Sequence, residues 1–228
     1  MTGAAGPAEP AGAAPGSAAH ADAGALLAAW RAPDAAQERL RRAYLDHLAA
    51  HPDALDRGGP PAHLTASCLV LDEDGEHALL VLHRKGRFWV QPGGHVEADD
   101  PGLAAAALRE AAEETGLPAP GGLRLRLRGA PADLDRHVLP GAFGRCREHL
   151  DVAFLATAPR AVRPAVSDES EEAAWWPLAD LPPGVVPDLP PRLRRAAALL
   201  GPEPPSPELP SPEPPSPEPP SPERAAGS

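Results

Sequence analysis

The sequence predicts an α/β fold: a mixed β-sheet sandwiched between helices and preceded by an N-terminal helical segment. Three observations carry that prediction. Short apolar runs bounded by turn residues recur from His63 onward. A glycine loop at Gly93-Gly94 opens into an acid-rich helical stretch in their midst, and Arg192 to Leu200 reads as a closing helix.

Residues 1–21 are mostly Ala, Gly and Pro, have little to bury and are expected to be disordered. Residues 22–57 read as a helical extension. Leu26, Leu27 and Trp30 form a short apolar face, Pro33-Asp34 restarts the helix, and Leu40, Tyr44, Leu45 and Leu48 follow at helical spacing. A helical hairpin packed on the main domain, residues 58–200, is the expected result. Strands are expected at His63 to Leu71 and Ala78 to Arg84, joined by an Asp74-Gly75 hairpin turn, and at Phe88 to Gln91 before the glycines. Asp100 is expected to cap the next helix, with Pro101 in its first turn and Gly116 at its end. Further strands are predicted at Leu123 to Arg128, where Leu and Arg alternate, at Leu150 to Ala156 and at Ala173 to Leu178. Trp175 and Trp176 are expected to send their rings to opposite sides of the last strand. Residues 201–228 repeat Pro, Ser and Glu with a period of five, a composition that favours extended, disordered chain.

The chemistry concentrates in Arg109-Glu110-Ala111-Ala112-Glu113-Glu114-Thr115-Gly116-Leu117. Helix positions three and four apart share a face, so Glu110, Glu113 and Glu114 are expected to converge, with no cation three or four residues ahead of any of them. Clustered carboxylates of this kind suit Mg2+ or Mn2+, which keep open positions for water and substrate phosphates.

With the preceding Gly94, this segment resembles the Nudix box: a glycine, five residues, a glutamate, seven residues, then Arg-Glu, an apolar residue, any residue, Glu-Glu, any residue, Gly and an apolar residue. The second half matches at every fixed position. In the first half Asp100 stands where the family has glutamate, and eight residues rather than seven separate it from Arg109. The resemblance implies a Nudix-type α/β/α sandwich and metal-dependent hydrolysis of a diphosphate linkage in a nucleoside diphosphate derivative. It also implies metal ligation by Glu110, Glu113, Glu114 and the carbonyl of Gly93, and a structural role for Arg109 in orienting a glutamate. The family often uses a further acid before a late strand, and Glu169 is the expectation here. Two other readings are a catalytically silent nucleotide-binding or regulatory module and an isoprenoid diphosphate isomerase, for which Cys68 is the candidate residue.

Outside the box, His83, Lys85 and Arg87 lie just before the glycine loop and are candidates to clamp phosphates, with Gly94 and His95 beside them. Asp151 alternates with apolar residues alongside His149 and is a further substrate-binding candidate. A net charge of -11, of which the tail carries -4, argues against DNA as the partner. No apolar run approaches a membrane span. Cys68 and Cys146 have no metal-ligand spacing in the sequence, and a reducing cytoplasm is the expected location. The tail offers a weak Pro-rich ligand for a partner, and self-association stays open.

Overall fold

The computed structural model describes residues 16–84, 86–119, 121–139, 146–165 and 170–201. The chain begins with two helices, α1 (Ala18–Ala29) and α2 (Ala35–Ala50), each capped by a side chain. Ser17 accepts from the amide of His20, and Asp34 from those of Ala36 and Gln37. Helix α1 starts four residues before the expected Asp22. Ala19, Ala23 and Leu27 are buried at four-residue spacing, so its docking stripe begins with small side chains in an alanine-rich first turn.

Among the described residues the sheet has eight strands: β1 (Ala62–Leu71), β2 (His77–His83), β3 (Trp89–Val90), β4 (Gly93–His95), β5 (Arg124–Leu125), β6 (Pro131–Val138), β7 (Glu148–Thr157) and β8 (Ser170–Pro177). Its central pair, β1 and β7, runs parallel in unbroken register from Ala62 opposite Glu148 to Leu71 opposite Thr157. The other strand pairs are antiparallel, which makes the sheet mixed. Asp72 closes the β1–β2 turn by accepting from the amides of Glu76 and His77, and Gly75 supplies a left-handed φ of 71°.

Two cores follow from strand alternation. On one side, Leu64, Ala66, Cys68 and Val70 of β1 and Val152, Phe154 and Ala156 of β7 pack under α1, α2 and helix α3 (Leu103–Thr115). On the other, Leu69, Leu71, Ala153 and Leu155 pack under helix α4 (Leu189–Ala198). Trp175 joins the first core and Trp176 the second, as the alternation of β8 requires. The N-terminal helices are thus part of the main core. Tyr44 of α2 is fully buried and donates to the carbonyl of Asp135, while Gln37 exchanges hydrogen bonds with the backbone of Leu134.

Two expected elements differ. The Leu-Arg alternation yields only Arg124–Leu125 as strand, and the chain then turns through left-handed Leu127 and Arg128. The turn frees the rest of the β7 edge, where β6 pairs from Pro131 opposite Phe154 to Val138 opposite Glu148. Strand β6 has no sequence signal of its own, because its inward Asp133 is balanced by arginines from α4 rather than replaced by an apolar side chain. Of the segments expected to be disordered, residues 1–15 and 202–228 lie outside the described residues, whereas Ala18 to Ala21 form the first turn of α1.

Candidate active site

Strand β4 is the glycine loop itself, paired antiparallel with β1: Gly93 opposite Ser67, Gly94 opposite Ala66, His95 opposite Thr65. Alternation sends Gly94 toward α3. A Cβ at Gly94 would lie 2.7 Å from the carboxylate atoms of Glu110, so a side chain there would push that carboxylate aside. The Gly93 amide donates to Glu114 Oε2 at 2.9 Å. One turn apart on α3, Glu110 and Glu114 therefore both close on the loop.

Glu113 stands apart, with its side chain 57% exposed and its carboxylate 3.0 Å from Arg109. The three acids do have a cation close by. Arg109 bonds Glu110 at 3.1 Å as well as Glu113, and it donates to the carbonyl of His95 at 2.9 Å. This arginine precedes the acids, one residue before Glu110 and four before Glu113, rather than following them along the helix.

Asp100 does not cap α3. The helix begins at Leu103 after Gly102, without a side-chain cap. The Asp100 carboxylate instead receives Arg109 Nε at 3.1 Å and Nη2 at 2.9 Å, a two-toothed pairing that outweighs a cap, and it accepts the Glu97 amide at 2.8 Å. The extra residue between Asp100 and Arg109 is absorbed in the loop. Burial opposes the charge of Arg109, but the bond to Asp100 and the nearby Glu110 and Glu97 outweigh it and hold the guanidinium protonated.

The remaining candidates are scattered. His83 ends β2, stacks on Phe88 with ring centroids 5.3 Å apart, and accepts from the Gly86 amide. Arg87, at a φ of 51°, pairs with Glu171 at 3.1 Å on the surface. Lys85 and Glu169 lie outside the described residues. Asp151 is buried, so the expectation that it meets substrate gives way to another role. Its carboxylate accepts from Thr65, from Ser67 at 2.6 Å and from Arg192 at 3.3 Å, tying β1 and β7 to α4. Cys68 lies in the core under α3, where its thiol donates to the carbonyl of Ala107 and burial raises its pKa. That position does not suit the isomerase reading.

His95 points away from α3 into a cluster the sequence did not signal. Its Nε2 lies 3.1 Å from His63 Nε2, and the His95, His63 and His149 ring centroids are 5.1 to 5.2 Å apart. Burial above all, reinforced by the neighbouring histidines, holds the pKa of His95 and of His149 far below the ordinary imidazole range. Both are neutral bases at pH 7.

The Glu110–Glu114 pair beside Gly93-Gly94 offers hard oxygen donors where a Cβ on Gly94 would crowd them, and it fits Mg2+ or Mn2+. Among the described residues, no helix is long and apolar enough to cross a membrane.

Residues 61–200 match the family model of the NUDIX domain. The structure is similar to a NUDIX-family hydrolase from Clostridium perfringens, with a TM-score of 0.48 and 23% identity over 61% of this chain and 98% of that one. It is also similar to an Ap4A hydrolase of C. elegans (TM-score 0.48, 19% identity, 60% and 96% covered). A third similar structure is an ADP-ribose pyrophosphatase from Streptococcus suis (TM-score 0.42, 19% identity, 59% and 89% covered). No curated protein matches the chain.

Proposed function

From the premise that the chain belongs to the NUDIX family, whose domain model spans residues 61–200, we propose that it hydrolyses a diphosphate linkage in a nucleoside diphosphate derivative. The observation that carries this reading is the closure of Glu110 and Glu114 of α3 on Gly93-Gly94.

Glu110, Glu114 and the Gly93 carbonyl would hold Mg2+ or Mn2+, with Glu113 as the outer ligand. When bound, such an ion neutralises phosphate charge and acidifies a water. The chain's own residues do the positioning. Arg109 fixes the Glu110 carboxylate and is itself fixed by Asp100, which stands where the family's pattern has its first glutamate. The Gly93 amide fixes Glu114. Hydrolysis forms a bond from water oxygen to one phosphorus and breaks the bridging P–O bond. Glu169 is the proposed acceptor of the water proton. His83, Lys85 and Arg87, at the turn before the loop, are the proposed phosphate contacts, with the Gly94 and His95 segment as the floor beneath.

Release of a nucleotide product from a panel of nucleoside diphosphate derivatives tests this, with dinucleoside polyphosphates, ADP-ribose, nucleotide sugars and nucleoside triphosphates each assayed with Mg2+, Mn2+ or EDTA. Release that needs the metal, from one class, is the expected result and identifies the substrate. Nucleotide binding without release under any condition would replace the enzyme by a silent binding module.

A further inference from the structure

Beyond the carboxylate site, the described residues contain one other dense group of metal-capable side chains: His63, His95, His149 and Cys146, with ligand atoms all within 4.8 Å of one another. They come from three adjacent strands and from the segment entering β7. His63 lies directly opposite His149 in the parallel register, and His95 lies opposite Thr65, two residues along β1. Alternation places the three imidazoles on one side of the sheet. His63 and Cys146 are buried, and His95 and His149 are partly buried.

Three features of this cluster point to a ligand. His63 Nδ1 faces the Pro60 carbonyl at 3.2 Å, which fixes the proton there and leaves Nε2 as a lone pair aimed at the cluster, as a backbone carbonyl does for a metal-bound histidine. His149 Nε2 is buried and has no hydrogen-bond partner among the described residues, a loss that a bound cation removes. The donors are three neutral nitrogens and one sulfur, whereas the acids on the other side of β4 offer only oxygen. Tetrahedral zinc, with bonds of about 2.0–2.1 Å to nitrogen and about 2.3 Å to sulfur, sets its donors about 3.3–3.6 Å apart, so those further apart than this draw in on binding.

We propose that His63, His95, His149 and Cys146 bind one zinc-type transition-metal ion in a closed, four-ligand site. Binding forms three bonds from imidazole nitrogen and one from sulfur; the Cys146 thiol proton leaves to solvent, and His95, whose Nε2–H donates to the His63 lone pair in the metal-free site, carries its single proton on Nδ1 instead. With every position filled by protein, the ion has a structural role. It joins β1, β4 and β7, and through His95, whose carbonyl receives Arg109, it pins the glycine loop. Soft and borderline donors of this kind discriminate against Mg2+, so the two sites take different metals.

The test is Co2+ titration of the full chain after removal of bound metal by chelator. The expected result is one equivalent bound with intense tetrahedral d–d bands and a thiolate-to-cobalt charge-transfer band, displaced by Zn2+ but not by excess Mg2+. Cys146→Ser removes the charge-transfer band, and His149→Gln weakens Co2+ binding by about two orders of magnitude. Glu114→Gln leaves the spectrum unchanged, which separates this site from the carboxylates. Absence of tetrahedral bands in the wild-type chain, or a charge-transfer band that survives in a folded Cys146→Ser chain, overturns the proposal. The wild-type spectrum decides even where a variant fails to fold.

Discussion

Arg109 and Arg192 each stand among four carboxylates. Arg109 lies within 3.4 Å of Glu97, 2.9 Å of Asp100, 3.1 Å of Glu110 and 3.0 Å of Glu113. Arg192 lies within 2.6 Å of Asp133, 3.6 Å of Asp135, 3.3 Å of Asp151 and 3.6 Å of Asp188. The Arg192 side chain is 4% exposed and its acids join three elements across the α4 face, so the charges lock the sheet to the helix. The Arg109 side chain is 21% exposed, and two of its acids lie on α3 beside the glycine loop. An arginine ringed by acids is therefore no sign of a site by itself. Openness to solvent and a neighbouring backbone without side chains make the difference.

Replacing Arg192 is the strongest way to test that contrast. Arg192→Met leaves buried Asp151 without its arginine and buried Asp133 with Arg195 alone, and unfolding in denaturant is expected to cost about 3–5 kcal/mol less than in wild type, with turnover per folded molecule retained. A variant as stable as wild type would remove the structural reading of this cluster. Glu114→Gln should do the reverse, cutting metal-dependent release of the nucleotide product by more than about 100-fold, beyond what loss of a supporting hydrogen bond costs, with the denaturation midpoint in place. Turnover at the wild-type level would sink the carboxylate assignment. Asp100→Asn keeps the shape but weakens the hold on Arg109, and kcat/KM is expected to drop about tenfold while substrate affinity changes little. Equal activity would mean that Arg109 needs no anchor.

The smallest expected effect comes from the histidines, which neither arginine serves. His95 and His149 stay neutral in the folded chain, whereas the unfolded chain takes up protons below the ordinary imidazole pKa of about 6.5. The unfolded state then binds more protons, so stability falls as pH drops through that value. Denaturation midpoints between about pH 7 and 5, measured with chelator present, should decline, and His149→Gln should flatten the decline. A wild-type midpoint constant over that range would show that these rings are not held neutral.

Local spacing made much of α3 and its acids legible. Glu110 and Glu114 share a face because one helical turn separates them, and no distant contact is needed to place them together. The same holds for the Asp74-Gly75 turn and for the alternation that divides Trp175 from Trp176. The Asp100 cap failed because a charged partner nine residues ahead competes with a backbone amide, and that contest is decided by the loop's path. Strand β6 was silent because its Asp133 is compensated by an arginine 59 residues away.

By itself, then, the sequence determined the helix and strand alternation, the glycine loop and the row of glutamates, since each depends on periods of two or a few residues. Tertiary structure alone decided which side of β4 each residue serves. Gly94 and His95 are neighbours in the chain, yet pairing with β1 turns one toward oxygen donors on α3 and the other toward nitrogen and sulfur donors of β1, β7 and Cys146. The parallel register of β1 on β7 brings His63 to His149 across 86 residues of chain, and no local pattern encodes a contact whose partners are set by strand order.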